Sequence, residues 1–333
     1  MKISNIVNSY GKKYTPYQGD LVNHLPMGQL AVYKLTEDLD KTESYSKIYI
    51  QNADINKVKE SVKEVDTLEE TLGKRDLYES ALNVLKKEMT HDNVECYIKK
   101  MLNEYAFGMS SGLFHVLIRL AYAYEGYQMD SGYLPELRRA VAYYITAYRE
   151  AGKFNREIKG KNIIEEAKDL YNNKTVKNIL SQKNSLGQKM KTLYEDEEYM
   201  EKGFIVEGDA DKKLEAVLNL SLNSYLNSES IVALHCITGT HALIVLKEFQ
   251  EDYNKNIDIL TTCIITHLIA SEIGKYEMPD YDADELTWDK LHNEIEKESD
   301  VHAVKLSYTA QVLNKIFPDK RHIVSAAKRL DKI

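Results

Sequence analysis

Helix breakers are scarce in this chain: its 333 residues include 5 prolines and 15 glycines. Long segments therefore run uninterrupted, which argues against a turn-rich β architecture and for helices. Cysteine is scarcer still. Cys96, Cys236 and Cys263 are far apart, odd in number and form no C-x-x-C pair. That argues against a disulfide framework or a thiolate zinc site, and for a reducing compartment. No apolar run is long enough to span a bilayer without polar interruption, and Lys2-Ile3-Ser4-Asn5 opens no signal-peptide core. A cytoplasmic protein with no membrane partner is the expectation. A Lys/Arg stripe with interleaved aromatics is also missing, and the net charge is −8, so nucleic acid is not an expected partner.

Hydrophobic residues make up 43% of the chain and charged residues 29%, enough for a sizeable core. Apolar residues recur at helical spacing from Pro26 through Leu35, and over about 76–104, 108–127, 133–151, 161–183, 210–226, 229–249, 256–274, 285–298 and 301–317. Asp76, Ser131 and Asp300 are expected N-caps. Residues 151–208 are rich in Lys, Glu, Asn and Gln and read as an exposed helical insertion. The acidic stretch Asp280–Glu285 reads as a solvated loop. The expectation is an all-α chain: one large helical bundle over 1–333 with central buried helices.

Two segments are apolar nearly all round, Leu113–Tyr122 and Ile231–Ile237, as helices in the middle of a bundle are. A histidine or arginine placed there needs a partner. Of nine histidines, His91, His292 and His322 lie among charged residues and read as surface, and His267 reads as a hydrogen-bonded core residue. His24, His115, His235, His241 and His302 remain. Alone, each is a core histidine as readily as a ligand. Together, on separate buried segments, they point to a metal site built between helices.

Helical geometry separates two of these residues. Six residues at about 100° each set His235 and His241 about 120° apart on one helix, so they are not expected to reach one ion together. On the 301–316 wheel, Ser307, Gln311 and Asn314 take the polar side, while Lys305 falls near the centre of the apolar arc. His302 lies about 60° away on the same face. Lys305 either snorkels to solvent or is functional, as a neutral amine or as an N-carboxylated metal ligand. Arg119, one turn beyond His115, either pairs with a buried acid such as Glu125 or meets an anionic substrate as a catalytic group.

The same residues carry a resemblance. Asn23-His24-Leu25-Pro26-Met27, Gly112-Leu113-Phe114-His115-Val116-Leu117-Ile118-Arg119, Leu234-His235-Cys236-Ile237-Thr238-Gly239-Thr240-His241-Ala242 and His302-Ala303-Val304-Lys305 resemble, in order and spacing, the motif blocks of the questin oxidase-like family. The resemblance spans about residues 20–317. It implies oxygen-dependent, Baeyer–Villiger-like cleavage of aromatic rings at non-haem iron(II), although another divalent transition metal would also suit the ligands. It further implies His24, His115, His235 and His302 as ligands and carboxylated Lys305 as a fifth, with His241 outside the ligand set as a catalytic group, behind the ligands or in contact with the substrate. The partners would be a small aromatic or quinone-type substrate and dioxygen, with some of the 24 tyrosines lining the pocket. Two other functions compete with an oxygenase: a metal-dependent hydrolase that activates water, and a binding protein on the same scaffold without chemistry.

Overall fold

The computed structural model describes residues 2–331 except 20, 60, 61, 282, 284 and 296. Positions 282 and 284 of the acidic stretch, and 296 of the expected 285–298 helix, therefore lie outside the described residues. Among the described residues the chain is 69% helical, in 17 α-helices, and 4% strand, so the fold is all-α. No helix among them is long and apolar enough to cross a membrane.

The first layer comprises α1 (Ile3–Gly11), a short antiparallel ribbon of β1 (Tyr17–Gln18) and β2 (Leu21–Val22), α2 (Leu25–Thr36) and α3 (Leu39–Asn52). Pro26 sits in the first turn of α2, where its missing N–H costs nothing. Then come α4 (Tyr78–Glu88), α5 (Val94–Asn103), α6 (His115–Met129) and α7 (Leu134–Thr146). The expected 76–104 helix is thus two helices broken at residues 89–93. Neither Asp76 nor Ser131 is a cap: Asp76 lies in a 3₁₀ turn before α4, and Asp130 caps the turn that leads into α7.

The 151–208 segment is closed at its base by β3 (Arg156–Lys159) and β4 (Phe204–Glu207), which pair in parallel. Between them run α8 (Ile163–Asn172), α9 (Lys174–Gln182), α10 (Leu186–Glu195) and α11 (Glu197–Lys202). Each of α8 to α11 exposes a charged face while burying residues such as Leu170, Val176, Leu193 and Tyr199. The segment is therefore amphipathic, not solvated throughout.

The last layer holds α12 (Ala210–Ser228), α13 (Ile231–Val245), α14 (Tyr253–Ala270), α15 (Trp288–Ile295), α16 (Val301–Ile316) and α17 (Lys320–Arg329). Helix α13 is buried at every residue from Ala233 to Leu243 and packs against α6, α12, α14 and α16. Helices α6 and α14 are nearly as enclosed. Asp300 caps α16 by accepting from the His302 N–H. From Ala303 to Ala310, α16 is buried on every side, Ser307 included, so its polar face begins only at Gln311. The reason is α17, which covers it. His322, expected at the surface, is buried on α17 at 1% exposure, because α17 packs against α16 and α12.

Candidate metal centre

Four elements meet at one end of the bundle, each bringing one histidine. His24 precedes α2, where its backbone N–H donates to the Tyr49 hydroxyl at 3.1 Å and the Asn23 side chain accepts from Leu25 N–H at 3.0 Å. His235 sits one turn into α13 and His302 in the first turn of α16. His115 opens α6 through an unusual turn: Gly112, Leu113 and Phe114 all have positive φ, at 59°, 59° and 62°. For the two non-glycine residues this conformation costs about 1–2 kcal/mol each. It persists because Phe114 is fully buried against Gly239 of α13 and the His267 ring. A Cβ on Gly239 would lie 2.9 Å from Phe114 Cγ, and one on Gly112 would lie 2.7 Å from the Tyr143 hydroxyl. Both glycines belong to the motif blocks, and both make room for this turn.

The four rings face one another. His115 Nε2 is 2.6 Å from His24 Nε2 and 3.0 Å from His235 Nε2. His302 completes the group, its ring centroid 4.8 Å from that of His24 and 5.2 Å from that of His235. Ligand atoms of His24, His235 and His302 lie within 4.8 Å of one another. On the far side of each ring Nδ1 is engaged: His24 with Val22 O at 2.6 Å, His235 with Ile231 O at 2.7 Å, His115 with Gly112 O, and His302 with Asp300 Oδ1 at 3.5 Å. Carbonyl oxygens only accept, so the neutral rings of His24, His115 and His235 carry their protons on Nδ1 and present bare lone pairs at Nε2. Burial holds the imidazoles of His24, His115 and His235 well below the usual histidine range, and Lys305 and the neighbouring rings push the same way.

Lys305 lies under this group. It is 0% exposed and its Nζ has no hydrogen-bond partner among the described residues, so snorkelling is excluded. Burial pulls its amine down to about 7, with Asp300 opposing. Bare lone pairs at 2.6 Å and 3.0 Å repel unless a cation lies between them. Nitrogens about 2.1 Å from a common ion and at right angles are about 3.0 Å apart. The residues present therefore fit a metal ion.

A cleft of about 580 Å³ opens on the group, lined by all four histidines with Val22, Tyr49 and Leu113 among its walls. Of the tyrosines, Tyr49 alone among the described residues lines it. His241 and Arg119 do not line it. His241 is fully buried beside Tyr308, with Nδ1 3.3 Å from Thr309 Oγ1. Arg119 pairs with Glu136 at 2.7 Å, not with Glu125, and Glu136 is shared with Arg139 at 3.1 Å. Glu136 reaches Arg119 from α7, the helix packed along α6, whereas Glu125 accepts from the Tyr308 hydroxyl.

No known family matches the chain, and neither does any curated protein. The functional reading therefore stands on the geometry and on the four motif blocks. Sequence reasoning did not pick out Asp300 as a partner of His302, the left-handed turn before His115, or the cover that α17 provides. Only Asp300 had a signal: a cap residue two positions ahead of a candidate ligand.

Proposed function

We propose that this chain is a metal-dependent oxygenase related to the questin oxidase-like proteins, acting on an aromatic or quinone-type small molecule. The observation that carries the proposal is the convergence of four histidine rings from four segments, three of them with ligand atoms within 4.8 Å of one another, beside a buried lysine with no hydrogen-bond partner among the described residues. His24, His115, His235 and His302 would hold the metal, iron(II) by preference, and an iron(II) ion there would supply one-electron chemistry toward dioxygen. Val22, Gly112 and Ile231 hold the ring protons of His24, His115 and His235 on Nδ1, which keeps those donor atoms aimed inward, and Asp300 lies beside His302 Nδ1. The enclosed helices α6, α13 and α16 keep water from three sides, so the cleft is the route of approach.

Lys305 supplies the remaining donor. Its neutral amine adds to carbon dioxide, forming an N–C bond and releasing one proton. The product is a carbamate whose anionic oxygen suits a metal ion better than the ammonium it replaces. These four histidines and the carbamate oxygen would hold the ion beside the cleft, through which dioxygen and the substrate would reach it.

The test is metal analysis of protein purified without added metal, followed by oxygen uptake with a hydroxyquinone. About one iron per chain and uptake lost on zinc replacement are expected. A chain that takes up no transition metal would overturn the reading. Metal-dependent hydrolysis of esters without oxygen uptake would favour the hydrolase instead.

A further inference from the structure

The 151–208 segment roofs a second cavity, of about 750 Å³, on the other side of the left-handed turn. Leu186, Met190 and Tyr194 of α10 form its apolar roof, and His267 of α14 forms part of its floor. Gly112 and Leu113 line both this cavity and the histidine cleft, so the turn is a shared wall. Arg149 and Lys191 at the mouth are matched by Glu150 and Glu195, which leaves no net sign to select a charged ligand.

Besides Ser110 and Ser111, His267 gives the cavity floor its polarity. It is 2% exposed, and its Nδ1 donates to Cys263 O at 2.7 Å. That fixes the tautomer and leaves Nε2 as an acceptor, which has no donor among the described residues. The Phe114 ring packs on the imidazole with centroids 4.8 Å apart, holding it in place. Burial pulls the ring down to about 4, so it remains neutral near pH 7. A buried acceptor in an apolar chamber selects a ligand that brings one hydroxyl and otherwise apolar surface.

We propose that this cavity binds a flat, apolar, uncharged molecule bearing a hydroxyl group, which donates to His267 Nε2 while its rings lie between Leu113, Met190 and Tyr194. The assignment goes beyond the proposed function: it is a second ligand site across the Leu113 wall from the histidine cleft, and binding there needs no metal.

Calorimetric titration with 2-naphthol and with naphthalene tests it. The unaltered chain binds 2-naphthol at least roughly tenfold more tightly than naphthalene, since only the phenol satisfies the acceptor. His267→Phe keeps naphthalene binding, which reports an intact chamber, and loses the preference. Met190→Trp fills the chamber from its roof and abolishes binding of both, with His267 untouched. His24→Ala leaves both affinities unchanged, so loss of the metal reading would not affect this one. Equal affinity for the two probes, a preference that survives His267→Phe, or loss of 2-naphthol binding in His24→Ala would each overturn the assignment.

Discussion

His24 Nε2 and His115 Nε2 lie 2.6 Å apart, although each ring already has its Nδ1 against a backbone carbonyl. Neither nitrogen has a proton to offer the other while both rings are neutral. Burial opposes putting one there, because a charged imidazole in this enclosure is also repelled by Lys305. A bound cation removes the conflict by attracting both lone pairs.

Metal removal is therefore destabilising. Metal at 100-fold over its Kd contributes about 2.7 kcal/mol, so a chelator should lower Tm by roughly 4 °C. His235→Ala should lose the metal and show no chelator effect. His241→Ala should keep both, because its ring lies beside Tyr308 and Thr309, outside the cleft. Metal analysis and thermal melts on the two variants check this, and equal metal loss in both would contradict it.

Lys305 separates a carbamate donor from a merely buried cation. Lys305→Ala should lose metal, and added acetate or propionate should restore part of it by entering the space the side chain left. Lys305→Arg should not be restored, since a guanidinium brings charge without an oxygen donor. Carbon-13 NMR of protein equilibrated with labelled bicarbonate should show one protected carbamate resonance, lost in Lys305→Ala. Its absence from metal-loaded protein would end the assignment.

Gly239 tests whether the left-handed turn positions His115. A methyl group there meets the Phe114 ring at 2.9 Å and 3.0 Å and its Cβ at 3.1 Å, and Phe114 is joined directly to His115. Gly239→Ala should cost about 1–3 kcal/mol through overpacking and weaken metal affinity by about tenfold through the displaced ring. Gly187→Ala, where an added Cβ meets nothing within 4 Å, is the control. Urea denaturation and metal titration on both variants read the outcome, and unchanged metal affinity in Gly239→Ala would show that the turn does not position the ligand.

The helices that carry the histidines were legible because their signals are local. Apolar residues all round α6 and α13 mark central helices, and the 60° offset of His302 from Lys305 follows from helical pitch alone. What stayed hidden depends on contacts between distant segments. Arg119 finds Glu136 rather than Glu125 because α7 lies along α6, which no spacing within α6 reveals. His322 looks solvated beside Lys320 and Arg321, but α17 turns it inward against α16. The positive φ of Leu113 and Phe114 contradicts their own preferences, and it is imposed by Gly239 and His267 from other helices.

Three buried histidines away from the four-ring cluster make stability fall with acid. Burial pulls His241, His267 and His322 from 6.5 to about 4, with Lys34 adding to the effect at His241 and Asp319 opposing it at His322. Between those values the unfolded chain binds protons that the folded chain refuses, so stability rises with pH across the window. It is fully present above about pH 6.5 and is lost progressively toward pH 4, by about 3 kcal/mol at most for each ring. Urea midpoints measured from pH 7 to pH 4 should therefore drop steeply, in metal-free protein as well. His322→Gln, in α17, should flatten that slope by about a third relative to these three groups, whatever it does to stability at pH 7. An unchanged slope in that variant would mean that His322 takes up its proton in the folded chain as readily as in the unfolded one.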